Sequence, residues 1–247
     1  MDKQPLLNTY VTNFTIEQAV QTISDRIEKR EKTVVVPINV DVVVKLEQDP
    51  ALKRIVDEAD IVPVDGTPLV WISKFHGRPV VQKVSGSDLV PALCARAAEK
   101  GYTVFFLGGK DGVAEQAKAR LEQGYPGIRI VGTYAPPMGF EKDPAELEKV
   151  NAVISKAAPD LLVVCFGCPK QERFIYENKD KYNATVSICA GATVDFLAGN
   201  VRRAPKWMSN AGLEWFYRFL QEPKRLFKRY FVDDMVIFAL AFKYRKP

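Results

Sequence analysis

Short runs of β-branched and aliphatic residues alternate along the chain with segments in which apolar residues recur every three or four positions. The runs fall at residues 33–36, 61–64, 103–107, 128–131, 161–166 and 186–190. They are nearly continuous in apolar residues rather than alternating, which is the pattern of parallel strands covered on both faces. Helical spacing occupies 16–30, 88–100, 112–123 and 144–157. Thr15 starts the first of these with a glutamate two residues on, and Asp143-Pro144 opens the last with Glu146 in its first turn. Strand, turn and helix at this spacing predict βαβ units. The fold class expected is α/β, an open, doubly wound, mostly parallel sheet with a helical C-terminal appendage. No internal repeat or low-complexity segment interrupts it.

The pattern changes near Gly199. Beyond it there are no strand signals, only helical stretches rich in aromatics and arginine, broken by Pro205 and Pro223. The chain therefore divides into an α/β body, 1–198, and a helical tail, 199–247. From residue 201 onward the tail carries eleven Lys/Arg against four Asp/Glu, leaving the body 24 basic and 26 acidic side chains of the chain's 35 and 30. The tail also holds 11 of the 26 aromatics, and Leu226, Phe227, Tyr230, Phe231, Met235, Phe238 and Phe242 fall near helical spacing. A near-neutral body with a basic, aromatic tail is suited to an anionic membrane surface or a phosphate-bearing lipid. The stripe also suits docking on the body, but eleven basic residues exceed what packing requires.

Composition narrows the remaining classes. At 247 residues the chain is long enough to bury a large core. No segment approaches the roughly 18 uninterrupted apolar residues of a spanning helix, and the first ten residues lack an apolar signal core. The expectation is a cytoplasmic protein, peripheral on the inner face of the membrane. Cys94, Cys165, Cys168 and Cys189 are too unevenly spaced for a disulfide framework. A zinc site would want a second cysteine pair or a Cys/His set, and His76 is the single histidine, so the cysteines read as structural. With a net charge of only +5, and basic residues interleaved with an apolar stripe, nucleic acid is not the expected partner. The spacing GxGxxG of dinucleotide sites is missing. Oligomeric state is not legible, although a homo-oligomer fits a body with exposed strand-end loops.

In open α/β sheets, ligands bind outside the carboxyl ends of strands. Four segments fall there. VVVPINVD runs from a strand into a turn presenting Asn39. In VDGTPLVW a strand ends, Asp65 projects, Gly66 permits a sharp turn and Thr67-Pro68 starts a helix. Asp65 is placed as a ligand to a hydroxyl or a general base, kept ionised by the helix dipole, or else as a helix cap. In LGGKDG, Gly108 and Gly109 would let backbone N–H groups approach a phosphate. In GCPKQE, Lys170 and Gln171 lie where a strand-end ligand is within reach. Both a Walker-type phosphate loop and an Asp-x-Asp pair are absent from the sequence.

Taken in order, these segments extend to a longer series: DGxPLVW at 65–71, VSGSDL at 84–89, FLGG at 106–109, GxPKQE at 167–172, GAxxDFxAG at 191–199, RAPxW at 203–207, EWxxR at 214–218 and EPxR at 222–225. As an ordered set over about residues 5–245 the chain resembles the WecG/TagA/CpsF family of glycosyltransferases. The resemblance implies an inverting transferase that uses no metal and no cofactor. Its best-described members move N-acetylmannosamine from a UDP-sugar donor to the 4-hydroxyl of GlcNAc on undecaprenyl diphosphate, in the synthesis of the wall teichoic acid linkage unit. Others use a related uronic acid or hexose. The implied roles are Asp65 as catalytic base, Asn39 on the sugars and Gln171 in the same pocket. Lys83, Gly108 and Gly109 complete the substrate-binding set, and Arg218 and Arg225 close over the departing diphosphate. The chain departs from the family pattern at Pro37, where a threonine is more usual, and at Lys83, where arginine commonly stands. Lysine keeps the charge without the bidentate geometry.

Overall fold

The computed structural model describes residues 3–245, with side chains for all of these except Lys206 and Asn210. Two short strands, β1 (Lys3–Leu6) and β2 (Thr9–Thr12), form an antiparallel hairpin, and α1 (Ile16–Glu28) follows. Thr15 caps α1 through a reciprocal box in which its hydroxyl accepts from Gln18 N–H and the Gln18 side chain accepts from Thr15 N–H. The partner is thus Gln18, not the nearer glutamate. Then come β3 (Thr33–Val35), α2 (Val40–Gln48), α3 (Pro50–Asp57), α4 (Thr67–Phe75), α5 (Gly86–Lys100), β4 (Thr103–Gly108), α6 (Val113–Gly124) and β5 (Arg129–Tyr134). The body continues through α7 (Pro144–Ala157), β6 (Leu161–Cys165), α8 (Lys170–Asn178), β7 (Val186–Cys189) and α9 (Thr193–Ala198). Beyond it, among the described residues, lie only α10 (Lys206–Asn210), α11 (Glu214–Gln221), α12 (Pro223–Lys228), a π-helical turn Arg229–Asp233 and α13 (Val236–Lys243).

The main sheet has five strands in the order β3-β7-β6-β4-β5, all parallel. Alternate residues of a strand point to opposite faces, and here both faces are covered. Val104 and Phe106 of β4 join Leu161 and Val163 of β6 in a core against α1, α5, α6 and α9. Phe105, Leu107, Leu162 and Val164 pack the other way, against α2, α3, α7, α8 and α13. This double cover is why the strands read as continuous apolar runs.

The segment 61–64 is not a strand. It touches the chain after β3 only at the isolated parallel bridges Val35↔Ile61 and Ile38↔Val64. Pro63 explains the interruption, because it stands between Ile61 and Asp65, which donate to Val34 O and Ile38 O, and has no N–H to give the rung between them. What pairing remains is consequential: Val36 and Ile38 donate to Ile61 O and Pro63 O, both at 2.9 Å, and Asp65 N–H donates to Ile38 O at 2.8 Å. This register brings Asn39 and Asp65 out side by side at the sheet's carboxyl end.

At the end of β4, Gly108 has φ 104° and sits so close to β6 that a Cβ would lie 2.8 Å from Cys165 O. Gly112 also has positive φ but faces open space. Gly108→Ala is expected to cost the backbone strain and a displaced strand end, on the order of 2–4 kcal/mol, against about 1 kcal/mol for Gly112→Ala. Thermal or denaturant unfolding of the two variants checks this; equal losses would contradict it.

Candidate active site

A cavity of about 840 Å³ opens outside the carboxyl ends of β3, β6 and β7. Body residues form its floor and tail residues one wall. Asn39, Asp65, Lys83, Gln171, Arg218 and Arg225 all line it. Gly108 and Gly109 do not: β4's end is closed off by Cys165, Phe166 and Val194, and the glycines serve that close packing rather than an open phosphate cradle.

Asp65 follows the 38–64 bridge at the sheet's carboxyl end and is half-buried. It is not the cap of α4, whose N-cap is Gly66 at φ 127° with no side-chain hydrogen bond. Among the described residues its carboxyl has no hydrogen-bond partner. Burial pushes it up to about 6, opposed by the positive charges of Lys83 and Arg218 and helped by Glu214 and Asp88. The dipole of α4 was expected to hold this carboxyl low. Desolvation overrides it, because a Gly-capped helix start gives one weak favourable field, while the cavity walls strip part of the water from the half-buried carboxylate. A carboxyl near 6 is still mostly ionised at neutral pH and a better proton acceptor than an ordinary aspartate.

Four charges pin the tail to the body beside it. Lys83 Nζ donates to Glu214 Oε2 at 2.9 Å and lies 3.4 Å from Asp88 Oδ2. Arg203 Nη2 reaches Asp88 Oδ1 at 2.6 Å and Glu214 Oε1 at 3.2 Å. Burial opposes the ionisation of Asp88 and Glu214, but Ser85, Lys83 and Arg203 outweigh it and hold both carboxyls below the usual range. Lys83 therefore spends its charge on this network. Elsewhere in the tail, Arg225 pairs with Glu222, while the Arg218 guanidinium lies 5.4 Å over the Phe196 ring and has no carboxylate within ion-pair distance among the described residues.

Gln171 organises the floor. Its Oε1 accepts from Gly167 N at 3.1 Å and Gly191 N at 2.9 Å, tying the loop after β6 to the loop after β7. Its Nε2 donates to Glu172 Oε1 at 2.9 Å. Glu172 is 1 % exposed. Burial pushes its carboxyl up, and Oε2 has no hydrogen-bond partner. Gln171 thus lines the cavity chiefly as a positioning residue. Lys170 pairs with Glu141 instead of entering the cavity, and the His76 ring donates to Ala241 O at 2.8 Å, holding α13 against α4. The cysteines are free thiols, and no group of three or more His, Cys, Asp or Glu among the described residues is arranged to hold a metal. Sequence reasoning missed Asp41, Arg229 and Asp234, which also line the cavity. Asp41 lies beside Asn39 and Arg229 beside Asp234 in the sequence, but no local pattern shows that the two segments meet.

The Asp65 shift has a stability consequence. Its folded-state pKa stands above the ordinary 3.8. Its favourable contribution is therefore fully present below about pH 4 and lost as pH rises through about 6. Asp65→Asn is expected to be more stable than wild type at pH 7.5 by roughly 1–3 kcal/mol and no more stable at pH 4, in paired denaturant melts. A variant that is less stable at pH 7.5 would contradict the desolvation account.

Residues 4–247 match the model of the family described as Glycosyl transferase WecG/TagA/CpsF. A protein of Bacillus spizizenii named N-acetylglucosaminyldiphosphoundecaprenol N-acetyl-beta-D-mannosaminyltransferase is 32 % identical over 199 residues, which is 81 % of this chain and 75 % of that protein. With a site assembled at the strand ends under a basic helical tail, and with the family match running almost from end to end, the chain belongs to the WecG/TagA/CpsF family of glycosyltransferases.

Proposed function

We propose that this glycosyltransferase moves N-acetylmannosamine from UDP-N-acetylmannosamine to the 4-hydroxyl of GlcNAc on undecaprenyl diphosphate, with inversion and without a metal. The observation that carries the reading is that Asp65 and Arg218 line the same cavity, a partly desolvated carboxyl without a hydrogen-bond partner and a cation without a carboxylate partner among the described residues. Asp65 takes the proton of the acceptor hydroxyl as its oxygen bonds to the anomeric carbon. The bond from that carbon to the UDP oxygen breaks on the opposite face. The negative charge left on the diphosphate is met by Arg218, with Arg225 available beside it if Glu222 gives way.

The same inventory favours an uncharged donor sugar. Of the cavity's cations, Lys83 is bound to Glu214, Arg225 to Glu222, and Arg229 lies between Asp41 and Asp234. Among the described residues that leaves Arg218 as the cavity cation with no carboxylate within ion-pair distance, and the diphosphate takes it. Asn39 supports a sugar contact on the floor: its Oδ1 accepts from Val42 N at 3.1 Å, and its amide N–H groups have no partner among the described residues.

No helix among the described residues is long and apolar enough to cross a membrane. The lipid-linked acceptor is instead met at a surface, in this reading by the tail on the inner face of the cell membrane. Phe238 and Phe242 are 59 % and 70 % exposed, Phe75 packs edge-on to Phe242, and Trp71, Phe227, Phe231 and Met235 are also exposed. Lys224, Lys228 and Arg245 are exposed around them, and Arg245 lies 4.4 Å over the Phe75 ring. Such a mixture suits anionic lipid.

Two measurements test the function. Acceptor-dependent UDP release from UDP-N-acetylmannosamine is expected to persist in EDTA, to rise with pH through about 6 and to fall about 10²- to 10⁴-fold in Asp65→Asn. Turnover that needs a divalent metal, or that survives in the variant, would contradict the mechanism. For the tail, the double variant Phe238→Ser/Phe242→Ser is expected to lose most of its sedimentation with anionic vesicles. Unchanged vesicle binding would remove the apolar face from the account.

A further inference from the structure

The cavity has an end that the transfer chemistry leaves unused. The π-helical turn Arg229–Asp233 closes with Asp234 N–H donating to Arg229 O, five residues back, at 2.7 Å. Such turns are rare and cluster at functional sites, since the extra residue re-aims side chains that a regular helix would send elsewhere. Here Arg229 and Asp234 both line the cavity, opposite Asp41 from the first turn of α2. The three charges do not satisfy one another. Arg229 Nε is 3.7 Å from Asp41 Oδ1 and 3.7 Å from Asp234 Oδ2, beyond hydrogen-bond reach in both directions. Asp41 Oδ2 is already taken by Lys45 Nζ at 2.8 Å, and Lys45 also donates to Cys168 O at 3.2 Å. Arg229 Nε and Asp234 Oδ1 are buried with no hydrogen-bond partner, and Asp234 as a whole is only 9 % exposed.

A buried orphan donor next to a buried orphan acceptor is costly unless something fills both. The group that does so is a hydroxyl, which accepts through a lone pair and donates its own proton. We propose that Asp41, Arg229 and Asp234 form a hexose-hydroxyl subsite, in which one sugar hydroxyl accepts from Arg229 Nε–H and donates to Asp234 Oδ1. This rests on the transferase reading above and deepens it, because the same cavity must hold two hexoses. The subsite couples sugar recognition to tail placement. Both orphan atoms belong to the tail, and Arg229 faces Asp41 of α2, two positions after Asn39, so the subsite is complete only where the tail is seated against the body. Donor and acceptor sugars share the required chemistry, and the test separates them.

The test is a cycle of kcat/KM values on the full-length protein. It crosses wild type and Asp234→Ala with intact substrates, with UDP-sugars lacking one ring hydroxyl at a time, and with acceptors lacking the 3- or the 6-hydroxyl. Asp234→Asn, of the same shape, accompanies the alanine variant so that a folding defect is separated by its melt. In wild type, one deoxy substrate is expected to lose about 10- to 100-fold, the worth of a hydrogen bond to a charged group. Asp234→Ala is expected to lose a similar factor on intact substrate and less than about threefold more on that deoxy compound, because both changes remove one interaction. A deoxy donor or a deoxy acceptor showing this coupling assigns the subsite to that sugar. Penalties that multiply for every deoxy compound would overturn the subsite and leave the pair bridged by water. No turnover by wild type with any UDP-sugar would instead overturn the transferase function, and the subsite with it.

Discussion

Lys83 and Asp88 from the body meet Arg203 and Glu214 from the tail in a partly buried square of alternating charge, with contacts from 2.6 to 3.4 Å. The tail is strongly basic, and the body's own charge is slightly negative, so general attraction brings the two together without fixing a geometry. The square fixes it. It sets α11 across the mouth of the strand-end cavity, which places Arg218 over Phe196 and turns the tail's apolar residues into a cavity wall. Desolvation of Asp65 follows from that wall. Lys83 is thereby engaged in structure, and its nearby charge restrains the Asp65 shift.

The floor is held with equal specificity by fewer atoms. One carbonyl, Gln171 Oε1, accepts two backbone N–H groups from separate loops, and Glu172 locks the amide from behind. An inverting transfer needs its base, its sugar and its leaving-group cation aligned, and misplacement by an ångström is expensive. Asn39 and Asp65 are set by an interrupted pairing that keeps its hydrogen bonds on either side of Pro63 and lacks the one that Pro63 cannot donate.

Much of this was legible in the sequence, and the misses have identifiable causes. The runs that became β4 and β6 declared themselves because both of their faces are buried. The hairpin of β1 and β2 was invisible, since strands of four residues with one half-exposed face give little signal. The α2 helix was missed because VDVVVKL reads as β-branched strand, and tertiary packing of Val42, Val43 and Val44 overrides that propensity. The segment 61–64 erred the other way, its apolar composition reflecting burial without a ladder. For the site, strand-end placement identified Asp65, Asn39 and Gln171, whereas Gly108 and Gly109 looked like a phosphate loop because glycines demanded by close packing leave the same letters. The Asp65 environment and the Arg229–Asp234 pair depend on contacts with the tail, which no local pattern encodes.

Burial in the cavity beside the tail tunes Asp65 to accept a proton. The most direct measurement is a carboxyl titration of the intact protein, by carbon-13 NMR or infrared difference against Asp65→Asn. The account requires a group absent from the variant that titrates near 6. A difference signal titrating near 4, as for a solvated aspartate, would contradict it and return Asp65 to an ordinary surface carboxylate.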